Sequence, residues 1–279
     1  MFWSTFHNHA SLSSRRFDSE SRVGTPPSAR GSGEQPQGDP EPDFGGDPST
    51  GSGSRTPDVF TGLKNEFAAN SWFGVTADDM KEIAVQYRAL GALSDPLRFL
   101  YGADYFDSIY DGVNQVVAIL DYEASNCPSE KFVLAGYSQG ALAIHIALRD
   151  LGSSDPAMFS RIIGVAMIAD PAKGAHGAEY TLEEFDKQAG SGVSGSEGVW
   201  TKFMAGRDVG PLPAAIASKT IAICRNHDIV CAPPILSAGV QNPLYNIAVH
   251  TDSYYETNTD VLGRWIGDKY MNRPFSLDP

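Results

Sequence analysis

The chain has 279 residues, of which 42% are hydrophobic and 20% charged, and a formal net charge of −13. This size and balance are typical of a globular protein with one large domain or two small ones, which can bury a full core without metal or disulfide support. The acidic charge argues against a nucleic-acid partner, because such a partner requires a basic face. No apolar run reaches the ~18–20 residues that a membrane-spanning helix needs, so we expect no membrane span.

Residues 1–56 are predicted to form a mostly disordered N-terminal segment ahead of one domain at residues 57–279. Gly, Pro and Ser dominate residues 24–57, where Phe44 is the only aromatic side chain. A segment of this composition has too little apolar surface to offset the entropy lost on ordering. Pro26 and Pro27 also remove backbone donors from a sheet ladder, so we expect no central strand at residues 21–28.

From residue 57 onward, helix-like and strand-like segments alternate. Apolar spacing predicts one helix that begins near Val59 and a long helix from Phe106 to Leu120. Further helices are predicted at residues 141–148 and 258–270, and strands at residues 82–88, 131–135, 161–169 and 220–224. This alternation predicts an α/β fold with three layers (α/β/α) around a mostly parallel sheet of about five strands.

The five residues Gly136-Tyr137-Ser138-Gln139-Gly140 carry the strongest functional signal. They fit the pattern G-x-S-x-G and lie between a predicted buried strand and a predicted helix. Such a strand–turn–helix elbow holds a serine in a strained conformation at the carboxyl edge of the sheet. The glycines leave room for the sharp turn, and the helix N-terminus favours developing negative charge. We therefore predict that Ser138 is a nucleophile.

A serine nucleophile needs a base, and the chain has six histidines. In α/β hydrolases the order along the chain is Ser, acid, His, which leaves His176, His227 and His250 as candidates. His145 lies two turns beyond Ser138 and is interpreted as a histidine on the face of the following helix. We predict that His250, placed in a loop before the last helix, is the base, because it alone leaves a suitable acid between itself and Ser138.

Two aspartates follow predicted strands and are candidates for the acid. Asp228 lies four residues beyond the strand at 220–224 and precedes His250, so it is the preferred acid. Asp170 directly follows the strand at 161–169 and is the second choice. Its alternative role is to cap that strand end ahead of Pro171.

Cys224 and Cys231 bracket Asp228, and three interpretations of them remain open. A metal site that used both thiolates and His227 would lack a fourth ligand, so no metal is predicted. A disulfide would pin the loop that holds Asp228 and suits an oxidising compartment. The third interpretation is a pair of unlinked structural thiols.

These motifs resemble the cutinase family of serine esterases, which includes acetylxylan esterases. The resemblance covers residues 57–270 and includes Cys127-Pro128, the strand and elbow that follow, the cysteine-bracketed Asp228, and His250. It implies an α/β-hydrolase fold in which Ser138 is the nucleophile, Asp228 the acid and His250 the base. By the same resemblance, the backbone N–H of Gln139 contributes to the oxyanion hole, and no cofactor is needed.

The family's second oxyanion donor lies in a motif like A-R-G-S/T-x-E, which residues 29–34 (ARGSGE) match. The resemblance therefore assigns Ser32 to the oxyanion hole. Family members have an apolar strand directly before this motif and a cysteine that pairs with the counterpart of Cys127. Because neither feature is found at residues 21–28, the expected fold lacks its first strand, and Cys127 is expected to have no disulfide partner. We hypothesise that residues 1–28 are not the family's N-terminus.

The resemblance implies a carboxylic ester hydrolase that acts on cutin-like polyesters, short-to-medium acyl esters or lipids, with acetylated xylan as the alternative. The expected loss of the first strand leaves open a catalytically impaired surface or binding protein on the same scaffold. The expected binding partner is therefore an ester substrate, and the chain is expected to be a monomer. Secretion is expected from the family and from a Cys224–Cys231 disulfide, although Met1 is followed by no recognisable signal peptide.

Overall fold

The structure is a computed structural model, and it describes residues 27–30, 53–70, 76, 79–80, 82–90, 103–174, 180–181, 197–200, 210–233, 243–252, 254 and 259–275. The strands within these ranges are β1 (Pro27–Ala29), β2 (Ile83–Ala84), β3 (Phe132–Tyr137), β4 (Ile162–Ile168), β5 (Tyr180–Thr181) and β6 (Thr220–Ile223). The helices are α1 (Thr56–Ala69), α2 (Ala103–Asn126), α3 (Gln139–Ser154), α4 (Ala214–Ala217), α5 (Pro243–Thr251) and α6 (Asp260–Tyr270).

The six strands form one sheet in the order β2-β1-β3-β4-β6-β5, and all neighbours run parallel. Every residue of β3 and β4 is buried, as expected for central strands that helices cover on both faces. The predicted α/β fold with a mostly parallel central sheet is thus confirmed. None of the helices in the described ranges combines the length and the apolar character needed to cross a membrane.

Alternate residues of β3 point into two separate hydrophobic cores. Phe132 and Leu134 pack with α2 and α3 on one face of the sheet. Val133 and Ala135 pack with α1 and α6 on the other face. This alternation with a period of two residues places β3 at the centre of a three-layer sandwich. Its carboxyl end, where Ser138 follows, is therefore fixed from both sides.

The expectation that no central strand forms before residue 29 is wrong, because β1 lies between β2 and β3. Ser28 pairs with Ala84 on one side and Ala135 on the other, and Ser28 and Ala29 are both buried. Pro27 is the first residue of the strand, a position where proline is tolerated in a sheet. Residues 1–26 and 31–52 of the predicted N-terminal segment lie outside the described ranges, whereas its last residue, Thr56, begins α1.

Candidate active site

Ser138 is the single residue between β3 and α3. Its backbone angles are φ 52° and ψ −116°, and a positive φ is uncommon for a residue with a side chain. The turn is held on both sides, because the Ser138 N–H donates to Ile168 O at 2.8 Å and the Leu142 N–H donates to Ser138 O at 3.0 Å. Strain of this kind is characteristic of functional sites, where the surrounding structure maintains it.

The two glycines of the elbow allow close backbone approaches. A Cβ added to Gly136 would lie 2.7 Å from the Ala141 nitrogen, inside the turn itself. A Cβ added to Gly140 would lie 2.1 Å from the carbonyl oxygen of Ala29. Because both distances are far below van der Waals contact, side chains at either position would push the elbow open. Gly140 thus lets the start of α3 pack directly on the backbone of β1.

The structure brings together the three side chains that the sequence singles out. Ser138 Oγ lies 2.9 Å from His250 Nε2, and His250 Nδ1 lies 2.9 Å from Asp228 Oδ2 and 3.0 Å from Asp228 Oδ1. All three residues are buried, and Asp228 is fully enclosed. The expectation that His250 occupies a loop is wrong, because it lies in the last turn of α5. Pro243 begins this helix, and proline at a first helical position was the available signal.

The partners of Asp228 fix the tautomer of His250. Asp228 Oδ1 accepts hydrogen bonds from the backbone N–H groups of Val230 at 2.6 Å and Cys231 at 3.1 Å. A carboxylate only accepts hydrogen bonds, so the proton between the two groups belongs to His250 Nδ1. Nε2 is then left with its lone pair toward the Ser138 hydroxyl. This is the arrangement in which an imidazole can take the proton of a serine.

A disulfide closes the loop that carries Asp228. Cys224 directly follows β6, and it is bonded to Cys231 with the two Cα atoms 5.9 Å apart. Both sulfurs are consumed by this bond, which rules out the metal site considered for this loop. Cys127 is a free cysteine and is partly buried.

Tyr254, four residues beyond His250, is a site residue that the sequence patterns do not identify. Its hydroxyl donates to Asp228 Oδ2 at 2.8 Å and accepts from the Arg225 N–H at 2.8 Å. Burial, followed by the nearby charge of Asp228, raises the pKa of Tyr254 well above its ordinary value. The phenol therefore stays protonated and available as a donor.

Asp170, the second choice for the acid, pairs with His145. Its Oδ2 lies 2.7 Å from His145 Nδ1, and its Oδ1 accepts from the Ala172 N–H at 2.9 Å. His145 Nε2 lies 3.0 Å from the carbonyl oxygen of Gly210. His145 is on a helix, as predicted, but it is buried and paired with Asp170. This dyad links α3 to the loop after β4.

Gln139 is the first residue of α3, where backbone N–H groups have no partner inside the helix. Its N–H therefore has no acceptor within α3, and its role as an oxyanion donor stays a prediction. Ser32 and His176 lie outside the described ranges. Across the part of the chain that the structure describes, three potential metal ligands come together once, at Glu123, Cys127 and Glu130 near the end of α2.

The sequence of this chain is similar to those of known proteins. A family model described as Cutinase matches residues 56–267. The cutinase of Hypocrea jecorina (strain QM6a) is 33% identical over 109 residues, which are 37% of this chain and 40% of that protein. Acetylxylan esterase 2 of Talaromyces purpureogenus is 38% identical over 73 residues, which are 26% of this chain and 30% of that protein.

A solved structure extends the likeness to most of the chain. A cutinase-like protein from Cryptococcus sp. covers 90% of this chain and 95% of its own, with a TM-score of 0.56 and 18% sequence identity. At that identity the match shows a shared fold alone. The alignments with the two curated relatives span no more than 40% of those proteins' lengths. Because the family model matches well over half of the residues, this chain belongs to the cutinase family.

Proposed function

We propose that this protein is a serine carboxylic ester hydrolase in which Ser138, His250 and Asp228 act as nucleophile, base and acid. The observation that carries the proposal is the continuous hydrogen-bonded chain from Ser138 Oγ through the imidazole to Asp228. This chain lies on a strained elbow within an α/β sheet, where such a nucleophile is expected. Family membership supports the same chemistry.

In the acylation step, Ser138 Oγ attacks the ester carbonyl carbon while its proton passes to His250 Nε2. The tetrahedral intermediate then collapses and expels the alcohol, which takes the proton back from Nε2. In the second step, water gives a proton to Nε2 as it attacks the carbonyl carbon of the acyl-enzyme. The second tetrahedral intermediate then expels Ser138 Oγ, which takes that proton back from Nε2, and the carboxylic acid is released. Asp228 holds the imidazole in the required tautomer throughout and stabilises its charged form.

The oxyanion of each tetrahedral intermediate is proposed to bind the N–H of Gln139 and the predicted donor Ser32. The partial positive charge at the start of α3 favours negative charge at this position. Loss of one oxyanion donor costs on the order of 10²–10³ in rate. The position of β1 supports the role of Ser32, because Ala29 and Arg30 begin the predicted motif and β1 packs against the elbow.

For the substrate, we propose cutin-like polyesters, short-to-medium acyl esters or lipids. Acetylated xylan is the second candidate, favoured by the relative named acetylxylan esterase 2. The Cys224–Cys231 disulfide supports secretion, because such bonds persist in oxidising compartments. The chain is proposed to act as a monomer and without a cofactor. The alternative of a non-enzymatic binding protein was based on the expected absence of the first strand. That strand is present in the sheet, so this basis is removed.

The test is hydrolysis of p-nitrophenyl esters with acyl chains from acetyl upward, together with acetylated xylan, by the wild-type chain and by Ser138→Ala. Turnover that requires Ser138 supports the proposal, and the profile across chain lengths separates acetyl esters from longer acyl esters. A folded wild-type chain with no turnover above Ser138→Ala on any of these esters would overturn it and favour the binding protein.

A further inference from the structure

The end of α5, which carries His250, is held by two side chains from outside the helix. The last carbonyl groups of a helix have no partner within it. The Tyr137 hydroxyl donates to His250 O at 2.7 Å, and Arg55 Nη2 donates to Thr251 O. Tyr137 is the last residue of β3, and Arg55 directly precedes α1. We name this pair of side chains, Arg55 and Tyr137, the α5 clamp.

Tyr137 contacts His250 in two ways. Besides the hydrogen bond to the backbone, its ring stacks on the imidazole with centroids 5.3 Å apart and planes inclined by 20°. Tyr137 also directly precedes Ser138, so the residue that orients the imidazole is covalently joined to the proposed nucleophile. The clamp therefore ties the position and the plane of His250 to the elbow itself.

Arg55 supports both partners of this contact. Its guanidinium carbon lies 4.8 Å from the centroid of the Tyr137 ring, a distance at which a cation is attracted to the ring face. The same positive group lies at the C-terminus of α5, where a cation interacts favourably with the helix dipole. Arg55 is buried, and its carbonyl oxygen accepts from Thr259 Oγ1 at 3.0 Å. It is thus anchored between α1 and α6.

We propose that Arg55 and Tyr137 are positioning residues that hold His250 Nε2 at hydrogen-bonding distance from Ser138 Oγ. The proposal rests on the proposed function, because it assigns the clamp to the same reaction. Neither side chain needs to touch the substrate. Misplacement of a catalytic group by about 1 Å can cost about 10²-fold in rate. Loosening the end of α5 should therefore lower the rate of the reaction.

Three variants test the clamp in the full chain. Tyr137→Phe removes one hydroxyl and keeps the ring, Arg55→Met removes the charge and the donors, and Arg55→Lys restores a charged donor. We expect Tyr137→Phe and Arg55→Met to lower kcat by about 10–100-fold. We expect KM to change by less than about two-fold, since uniform substrate binding is untouched. Arg55→Lys should recover most of the kcat that Arg55→Met loses.

Arg161→Met is the matched control. Arg161 also binds carbonyl groups at the end of a helix, Ala124 O at 2.9 Å and Cys127 O, and its guanidinium lies 4.9 Å from the ring centroid of Phe132. Arg161 itself directly precedes β4, but its guanidinium group lies at the end of α2. Through these contacts it touches none of the three proposed catalytic residues. Its loss should lower the unfolding temperature without changing kcat, which separates positioning from general stability.

A second measurement does not depend on turnover. In protein labelled with ¹⁵N in its histidines, the Nδ1–H resonance of His250 is assigned by its disappearance in His250→Ala. We expect this resonance to shift or broaden in Tyr137→Phe and Arg55→Met and to stay unchanged in Arg161→Met. If the wild-type chain shows no turnover that requires Ser138, the proposed function is wrong, while this resonance still decides whether the clamp positions His250.

The proposal is overturned if Tyr137→Phe leaves both kcat and the His250 resonance at their wild-type values. That result holds even where Arg55→Met does not fold, because Tyr137→Phe changes a single buried atom. It is equally overturned if Arg161→Met lowers kcat and perturbs the resonance as much as the clamp variants do.

Discussion

The phenol of Tyr254 donates a 2.8 Å hydrogen bond to Asp228 Oδ2, the same oxygen that lies 2.9 Å from His250 Nδ1. Backbone N–H groups occupy the other oxygen of Asp228. Asp228 and Tyr254 are both buried, and these protein groups supply hydrogen-bond donors to both oxygens of the carboxylate. Tyr254 thereby fixes the rotation of the carboxyl group that faces the imidazole.

Removal of this hydroxyl should slow the reaction without weakening substrate binding. In Tyr254→Phe the ring keeps its packing, but Asp228 loses a donor and gains freedom to rotate. We expect kcat to fall by about ten-fold, with KM nearly unchanged. Steady-state kinetics on a p-nitrophenyl ester measure both constants. Tyr122→Phe, at an exposed position on α2, is the control, and an equal loss of kcat in the two variants would contradict the role of Tyr254.

The same phenol predicts a loss of stability at high pH. Burial and the charge of Asp228 raise the pKa of Tyr254 above the ordinary value of 10.0, which is near its value in the unfolded chain. The stability linked to this group is therefore complete below about pH 10 and is lost as the pH rises toward the folded-state pKa. Urea unfolding at several pH values up to about 11 should show a smaller loss of stability for Tyr254→Phe than for the wild type. Equal pH slopes would refute this prediction, and Tyr122→Phe should keep the wild-type slope.

Local patterns were sufficient to predict the centre of the fold. The strand, the elbow and the helix at residues 131–148 are consecutive, so an apolar run, G-x-S-x-G and a second apolar run predict β3, Ser138 and α3 without long-range information. Chain order then singled out Asp228 and His250. The structure places both within hydrogen-bonding distance of each other and His250 within reach of Ser138.

Features that depend on distant neighbours were not predictable. β1 has small and polar side chains, and its place in the sheet comes from ladder partners near residues 84 and 135 rather than from its own apolar surface. Arg55 contacts Thr251 across 196 positions of sequence, and no local pattern encodes such a pair. An aromatic residue after the base is equally compatible with a core contact or a hydrogen bond to the acid, so Tyr254 could not be assigned.

A pair of matched substitutions distinguishes the two candidate acids. Asp228→Asn should lower kcat by about 10⁴-fold, because an amide no longer holds His250 in the required tautomer. Asp170→Asn should leave kcat within a few-fold of the wild type, since its oxygens bind His145 and the Ala172 N–H. It should instead lower the free energy of unfolding by about 1–3 kcal/mol, because a neutral amide oxygen accepts a weaker hydrogen bond from His145 than a carboxylate does. Kinetics and urea unfolding of both variants give the answer, and a larger kcat loss in Asp170→Asn would exchange the two roles.

The contact between Gly140 and β1 predicts that one methyl group at the elbow disrupts both stability and activity. In Gly140→Ala the new Cβ would lie 2.1 Å from Ala29 O, and a backbone atom in a central strand cannot move aside without opening the sheet. We expect the free energy of unfolding to fall by about 1–3 kcal/mol and turnover to fall with it, because the predicted oxyanion motif begins at Ala29.

In Gly112→Ala on α2, the nearest atoms are the side-chain atoms Ala143 Cβ at 3.1 Å and Tyr87 Cδ2 at 3.2 Å. This control should stay within about 1 kcal/mol of the wild type, since alanine favours the helix and the neighbours need only small shifts. Urea unfolding and ester hydrolysis of the two variants test the contact, and a Gly140→Ala chain with wild-type stability and turnover would show that β1 does not depend on this approach.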